Sequence, residues 1–336
     1  MRKKMFAVIA AAVLVFSGTA FAFAENGGQA AFDKGMAAFK NGEYATALSE
    51  FRIAAEQGNL DAQFNVGLIY QKGLGVPVNY SEAAKWFRRA AEKGEPWSQV
   101  NLGILYEFGR GVPQNDSEAA AWYRKAAEQG DSDGQSCLGY MLQNGKGVSR
   151  SHSEAAAWYR KAAEQGHSQA QARLGTMYLY GFGVRKNYSE AAAWFRKAAD
   201  QGNASGQARL GLMYELGLGL KKNDGEAVKF YRLAAGNGDA EGQSFLGLMY
   251  QYGYGISRDY GEAFRWYRMA ADQGLAQGQY RLAVMYDEGL GVARNFPEAL
   301  AWYRKAAGQG YLGAQFQLGY LYEKGRDVPR DDAEAV

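Results

Sequence analysis

Tryptophan recurs in this chain on a fixed 36-residue spacing: Trp86, Trp122, Trp158, Trp194, Trp266 and Trp302 fall on it, and Phe230 holds the one point without Trp. A strict period of that length marks a repeat array, because one small helical unit cannot bury its own apolar face and must stack on copies of itself. Seven full units start near Ala62, Ser98, Gly134, Ala170, Gly206, Gly242 and Gly278, and an eighth begins at Ala314 and reaches Val336 in mid-unit. The usual inference of two globular domains from 336 residues therefore does not apply.

Each unit reads as two helices. In the first, from Ala62 to Gln71, the residues Ala62, Val66, Ile69 and Tyr70 recur at helical spacing and predict a core face. Gly67, Gly103, Gly139, Gly175, Gly211, Gly247 and Gly319, with Ala283 as the one substitute, predict close approach of a neighbouring helix. The helix stops at Gly73-Leu74-Gly75-Val76, a motif that recurs through Gly289-Leu290-Gly291-Val292, since Gly accepts the left-handed conformation after a helix end. This Gly-x-Gly follows a helix, has no strand before it and lacks a P-loop Lys, which argues against a nucleotide site.

The second helix opens at Asn79, with Glu82 placed to reach back as in a capping box, and the design repeats at Asn115, Asn187, Asn223, Asp259 and Asn295. Ala83, Trp86, Phe87, Ala90 and Ala91 form its predicted buried face. Arg124, Arg160, Arg196 and Arg268, equivalents of Arg88, each precede an acid by four residues. That spacing predicts exposed ion pairs of about 0.3 kcal/mol each. Gln63 recurs in all eight units through Gln315, which predicts a structural hydrogen bond between neighbouring units.

Residues 25–58 lack the Gly-x-Gly-Val insert and read as a shorter, tetratricopeptide-like repeat that caps the array, leaving 59–336 for the repeats proper. Before them, Arg2, Lys3 and Lys4 precede an apolar run from Met5 to Phe16 and the small-residue site Ala22-Phe23-Ala24. Residues 1–24 are thus expected to be a secretory signal peptide, the chain to be exported to the periplasm or secreted, and no stable membrane insertion to remain after cleavage. Cleavage takes the net charge from +3 to 0. A neutral chain lacks the electrostatic footprint of a nucleic-acid binder. Cys137 is the single cysteine, so packing rather than disulfides must hold the fold.

The pattern Ala62-Gln63, Gly67, Tyr70, Gly73-x-Gly75-Val76, Ala83, Trp86, Ala90-Ala91 and Gly94 resembles the Sel-one-like repeat, a relative of the tetratricopeptide repeat, over about residues 59 to 336. The resemblance implies an all-α, right-handed α-solenoid of antiparallel helix pairs serving as an adaptor or scaffold, commonly in bacterial envelope, secretion or host-interaction complexes. A cysteine-rich branch of that family is associated with β-lactam binding; with Cys137 alone this chain departs from it.

Columns that are alike in every unit are explained by packing, so function is expected where units differ. One varying column of the first helix reads Asn65, Asn101, Cys137, Arg173, Arg209, Phe245, Arg281 and Gln317, and another reads Lys72, Phe108, Asn144, Tyr180, Leu216, Tyr252, Glu288 and Lys324. They share a face with Leu68, Ile104, Tyr140, Thr176, Leu212 and Leu248. Aromatic and Arg side chains dominate binding hot spots, which selects Phe108, Tyr140, Arg173, Tyr180, Arg209, Phe245, Tyr252 and Arg281 as partner-binding residues on a concave wall. The three Arg are expected to be exposed, and Leu212 and Leu248 to pack between units. His152 and His167 are the only histidines and neither has a clustered ligand set. Catalytic, metal and cofactor residues are accordingly assigned as none. The expected function is a non-enzymatic scaffold that binds a protein or peptide. The alternatives are a peptidoglycan- or glycan-binding module and the repeat region of a longer chain with an effector domain elsewhere.

Overall fold

A computed structural model describes residues 28–324. Among them every regular element is an α-helix, seventeen in all, and no strand occurs. The chain is a tetratricopeptide-like solenoid of helix pairs, divided into two compact units, one running to Ala90 and the other from Ala91 onward. The expected signal segment 1–24 and the tail after Lys324 lie outside the described residues.

The first unit holds α1 (Gln29–Lys40), α2 (Tyr44–Glu56), α3 (Leu60–Lys72) and most of α4 (Tyr80–Ala91). Three residues, Asn41, Gly42 and Glu43, join α1 to α2, whereas seven residues carrying the Gly-x-Gly motif join α3 to α4. Its core is Phe51, Val66, Ile69 and a set of alanines, all fully buried. Phe51 lies against the rings of Phe32 and Phe39 at 5.7 and 6.4 Å.

In the second unit the first helices are α5 (Pro96–Phe108), α7 (Ser132–Asn144), α9 (Ser168–Tyr180), α11 (Ala204–Leu216), α13 (Ala240–Tyr252), α15 (Ala276–Glu288) and α17 (Leu312–Lys324). The second helices are α6 (Asp116–Glu128), α8 (His152–Glu164), α10 (Tyr188–Asp200), α12 (Asp224–Gly236), α14 (Tyr260–Asp272) and α16 (Phe296–Ala307). The cap residues begin these helices as the sequence predicts: Asn115 Oδ1 accepts from the Ser117 and Glu118 N–H groups, Asn187 from those of Ser189 and Glu190, and Asn223 from that of Glu226.

The reciprocal half of the capping box is replaced. The Asn115 N–H donates to the Tyr106 carbonyl at 2.9 Å, and Asn187 and Asn223 donate to Tyr178 and Tyr214. The last turn of the first helix has orphan carbonyls to satisfy, so it takes the N–H that the glutamate was expected to take. Glu226 and Glu262 instead pair with Lys229 and Arg265 on their own helices.

Two glycine columns set the spacing. A Cβ on Gly139 would stand 2.8 Å from the Tyr159 ring, so the bare backbone seats the large side chain of the partner helix. In the loop, Gly147 has φ +62° and a Cβ there would lie 2.2 Å from the Asp116 carbonyl. Each such loop therefore docks on the start of the preceding second helix, a contact only Gly permits. The neighbouring tryptophans of the second helix are also buried, and Lys125, Lys197 and Lys305 lie 3.7, 4.1 and 3.7 Å from the centroids of Trp122, Trp194 and Trp302. Such stacking covers an indole that would otherwise face water and contributes about 0.5–1 kcal/mol.

Candidate functional site

The recurring polar columns are consumed by the stack itself. Gln171 Nε2 donates to the Ala163 carbonyl at the end of the preceding helix, and Gln171 Oε1 accepts from Gln201 Nε2 at 2.8 Å. Gln135, Gln207, Gln243 and Gln279 make the same two bonds, with Asn237 as donor to Gln207. The predicted glutamine role between units is therefore observed. The predicted arginine role is corrected: of Arg124, Arg160, Arg196 and Arg268, only Arg268 reaches its acid, Asp272, at 3.3 Å. Arg160, Arg196, Arg268 and Arg304 turn instead to the hydroxyls of Tyr178, Tyr214, Tyr286 and Tyr322 in the next unit. A carboxylate left in water holds a guanidinium only weakly because solvent screens the attraction, so the phenol of the next unit, fixed by its own packing, can take the guanidinium.

A third column went unread in the sequence. Tyr123, Tyr159, Tyr231 and Tyr267 in the second helices donate their hydroxyls to Glu107, Gln143, Glu215 and Gln251 near the ends of the first helices, always sixteen residues back. Where the second helix carries Phe195 instead, the residue sixteen back is Leu179, which is buried and apolar. That matched change at Phe195 was the available signal, although Phe87 keeps a polar Gln71 sixteen residues back. Burial holds the Tyr123 phenol well above its usual range, with Cys137 and Glu107 nearby adding to the shift, so the hydroxyl stays a donor. Burial likewise raises the Cys137 thiol, which removes the thiolate on which cysteine reactivity depends.

What remains is the outward face of the first helices, where the selected residues behave unequally. Phe108 packs half-buried against the core. Tyr140 sits between two cations, with the Arg173 guanidinium 5.0 Å and the Lys146 ammonium 5.3 Å from its ring. Phe245 stacks on Tyr231 at 5.0 Å. Arg209 pairs with Glu241 of the next unit at 2.7 Å. Arg281 lies 5.9 Å from the Tyr280 ring. All three arginines are half-buried rather than exposed, because each long stem lies along a neighbouring ring or unit and only the head stays near solvent. Leu212 and Leu248 pack half-buried beside the core, as expected.

Tyr180 and Tyr252 are the most open of the set, at 50% and 48% exposure. Each is stacked at 5.6 Å on an exposed aromatic from the glycine loop, Phe182 and Tyr254 respectively. Phe182 stacks in turn on His152. These loop rings and Glu241 extend the face beyond the residues the sequence singled out. No group of three or more His, Cys, Asp or Glu side chains that could hold a metal ion occurs among the described residues.

The Sel1 repeat model matches residues 60–95, 98–131, 132–167, 168–203, 204–239, 240–275, 276–311 and 313–336. The chain belongs to the Sel1 repeat family. Its matched segments restart about every 36 residues, in step with the helix pairs. Among solved Sel1-type structures it is similar to a protective antigen present in uropathogenic Escherichia coli strains and displaying an SLR fold. That pair shares 35% identity and a TM-score of 0.70, over 92% of this chain and 75% of the other. It is also similar to a Sel1 repeat protein from Oxalobacter formigenes, at 33% identity and a TM-score of 0.65, over 88% of this chain and 87% of that one. No curated protein matches the chain. As a Sel1 repeat protein it is a scaffold by architecture, built from stacked helix pairs.

Proposed function

We propose that this Sel1 repeat protein is an exported, non-enzymatic scaffold that holds a protein or peptide segment on the outward face of its first helices. One observation carries the reading. The recurring side chains are occupied by contacts within and between units, while the first-helix face varies from unit to unit and presents aromatic and guanidinium groups to solvent. Such groups anchor protein interfaces because they bury large area with few rotors or make several directional hydrogen bonds. The basic start, apolar run and Ala22-Phe23-Ala24 site support export.

The test begins with co-purification of a partner from the exported fraction, with N-terminal sequencing of the captured chain. Recovery from the cytoplasm with Met1 retained would remove the export claim. The double substitution Arg209→Ala and Tyr252→Ala is then expected to weaken capture by about 2 kcal/mol or more with helicity unchanged. The double substitution Lys125→Ala and Lys161→Ala on the second-helix face serves as the control. Equal loss in both variants, or in neither, places the site elsewhere. A glycan reading has one observation in its favour, the two exposed stacked pairs Tyr180–Phe182 and Tyr252–Tyr254; retention on purified peptidoglycan, lost in the Tyr252 variant, would select it.

A further inference from the structure

Arg209 and Arg281 occupy the same position in α11 and α15, and their surroundings differ in one respect. Arg209 Nη2 meets Glu241, the second residue of α13, with its two carboxylate oxygens at 2.7 and 3.1 Å. The residue at the same distance after Arg281 is Gly313, the second residue of α17, so no carboxylate stands there. Among the described residues no carboxylate pairs with the Arg281 guanidinium, whose neighbours are the Tyr280 ring and the Tyr267 phenol, and its Nε is buried without an acceptor. An unmet buried donor costs about 1–3 kcal/mol, more when it belongs to a charged group. Arg173, the third arginine of the column, has Ser205 at the corresponding place, but its guanidinium lies between the rings of Tyr140 and Tyr159 at 5.0 and 5.9 Å.

We infer that the Arg281 guanidinium is a receptor for a carboxylate carried by a peptide, which takes the place that Glu241 fills for Arg209. This rests on the proposed reading of the first-helix face as a protein-binding surface. The planar fork of Arg suits two carboxylate oxygens at once. The surroundings suit a peptide better than a small free acid. Tyr280 flanks the guanidinium, so residues beside the acid meet aromatic surface. A Cβ on Gly313 would meet the Tyr280 ring at 3.5 Å, an ordinary contact, and the Tyr311 ring edge at 3.1 Å, which a small shift of that ring relieves.

Three probe peptides separate the sources of the carboxylate: acetyl-Leu-Phe-Glu-Leu-amide, with only a side-chain acid; acetyl-Leu-Phe-Gln-Leu, with only a terminal acid; and the amide of the latter, with neither. Titration into the full chain labelled with 15N-arginine is expected to show at least one acid peptide binding about tenfold more tightly than the neutral one, with the Arg281 Nε–Hε resonance moving. Arg281→Gln should reduce that peptide to the affinity of the neutral one. Gly313→Glu should do the same with Arg281 still present, because the site is then filled from within, and circular dichroism should report unchanged helicity for both variants. Equal affinity for all three peptides, no binding of any, or acid binding that survives both substitutions overturns the inference. Should that happen while the Arg209/Tyr252 double variant still loses its partner, the binding face stands and only the carboxylate receptor falls. The reverse pattern would leave Arg281 as a receptor on a face that is not the principal one.

Discussion

The Tyr123–Glu107 bond offers the sharpest test of how the units are locked. Glu107 is 3% exposed; the Tyr123 hydroxyl donates to its Oε2 at 2.9 Å, and the Lys146 ammonium stands 3.4 Å from Oε1. Tyr123→Phe removes one of these two donors and leaves a buried carboxylate with the longer one. Hydrogen bonds to charged groups are worth about 1.5–3 kcal/mol, which corresponds to a factor of about 10 to 150 in a local opening constant. Tyr159→Phe faces the neutral Gln143 amide and should cost about 0.5–1.5 kcal/mol. Native-state hydrogen exchange is the appropriate assay, because each unit opens largely with its neighbours and a single global unfolding energy is ill defined for an array. Protection in α5 and α6 should therefore fall much further for Tyr123→Phe than protection in α7 and α8 for Tyr159→Phe. Adding Glu107→Leu recreates the Phe195–Leu179 pair and should recover most of the loss. The reasoning fails if the two single variants cost the same, or if the double variant is as unstable as the sum of its parts.

The remaining predictions concern the ends and the seams of the helices. Asp131 caps α7 by accepting the Gly134 N–H at 2.7 Å, yet burial raises its carboxyl above the usual value, outweighing that bond. The folded state thus binds a proton more readily than the unfolded one, and the side chain withdraws stability as pH climbs from the ordinary Asp range through the raised value. Asp131→Asn keeps the acceptor and drops the charge; its melting temperature at neutral pH should equal or exceed that of the parent, and the gap should close on acidification, whereas a gap that widens in acid refutes the assignment. At the seam, Gln171→Leu strands the Ala163 carbonyl and the Gln201 amide, so native-state hydrogen exchange should show the local opening energy of α8 and α9 falling by about 1–3 kcal/mol; a neutral outcome would mean that water replaces the glutamine without penalty.

Much of the architecture was legible because a repeat is read eight times over. The Trp lattice, the glycine stops and the alanine face each stated a packing requirement in several independent copies, and the helices, caps and buried residues follow them. The misreadings came from contacts that cross between elements. Arg160 and Arg196 were assigned partners on their own helices because spacing along one helix is visible in sequence, whereas the tyrosine one unit on is not adjacent in any linear sense. Glu82-type residues are expected from the sequence to accept the N-cap N–H, which a carbonyl of the first helix takes instead, for example Tyr178 accepting from Asn187. The candidate binding face was legible as a set of variable columns, but the degree of burial of each arginine depended on its particular neighbours: two rings for Arg173, Glu241 for Arg209, and Tyr280 with no carboxylate opposite for Arg281.

The same neighbours explain how an array of nearly identical units can carry a local site. Every unit must spend its Gln on the preceding carbonyl, its Gly on the facing ring and its loop glycine on the preceding helix start, since without these the stack loses contacts it cannot replace. The outward positions of the first helix face no such demand, so a change there alters what the surface presents without altering how the units pack. Glu241 and Gly313 illustrate the consequence. Both are the second residue of a first helix, both leave the packing intact, and one neutralises an arginine while the other leaves its counterpart open. On the proposed reading of this face, specificity is therefore set by pairs of residues about one unit apart, an arginine and whatever the next unit puts opposite it, rather than by any single column.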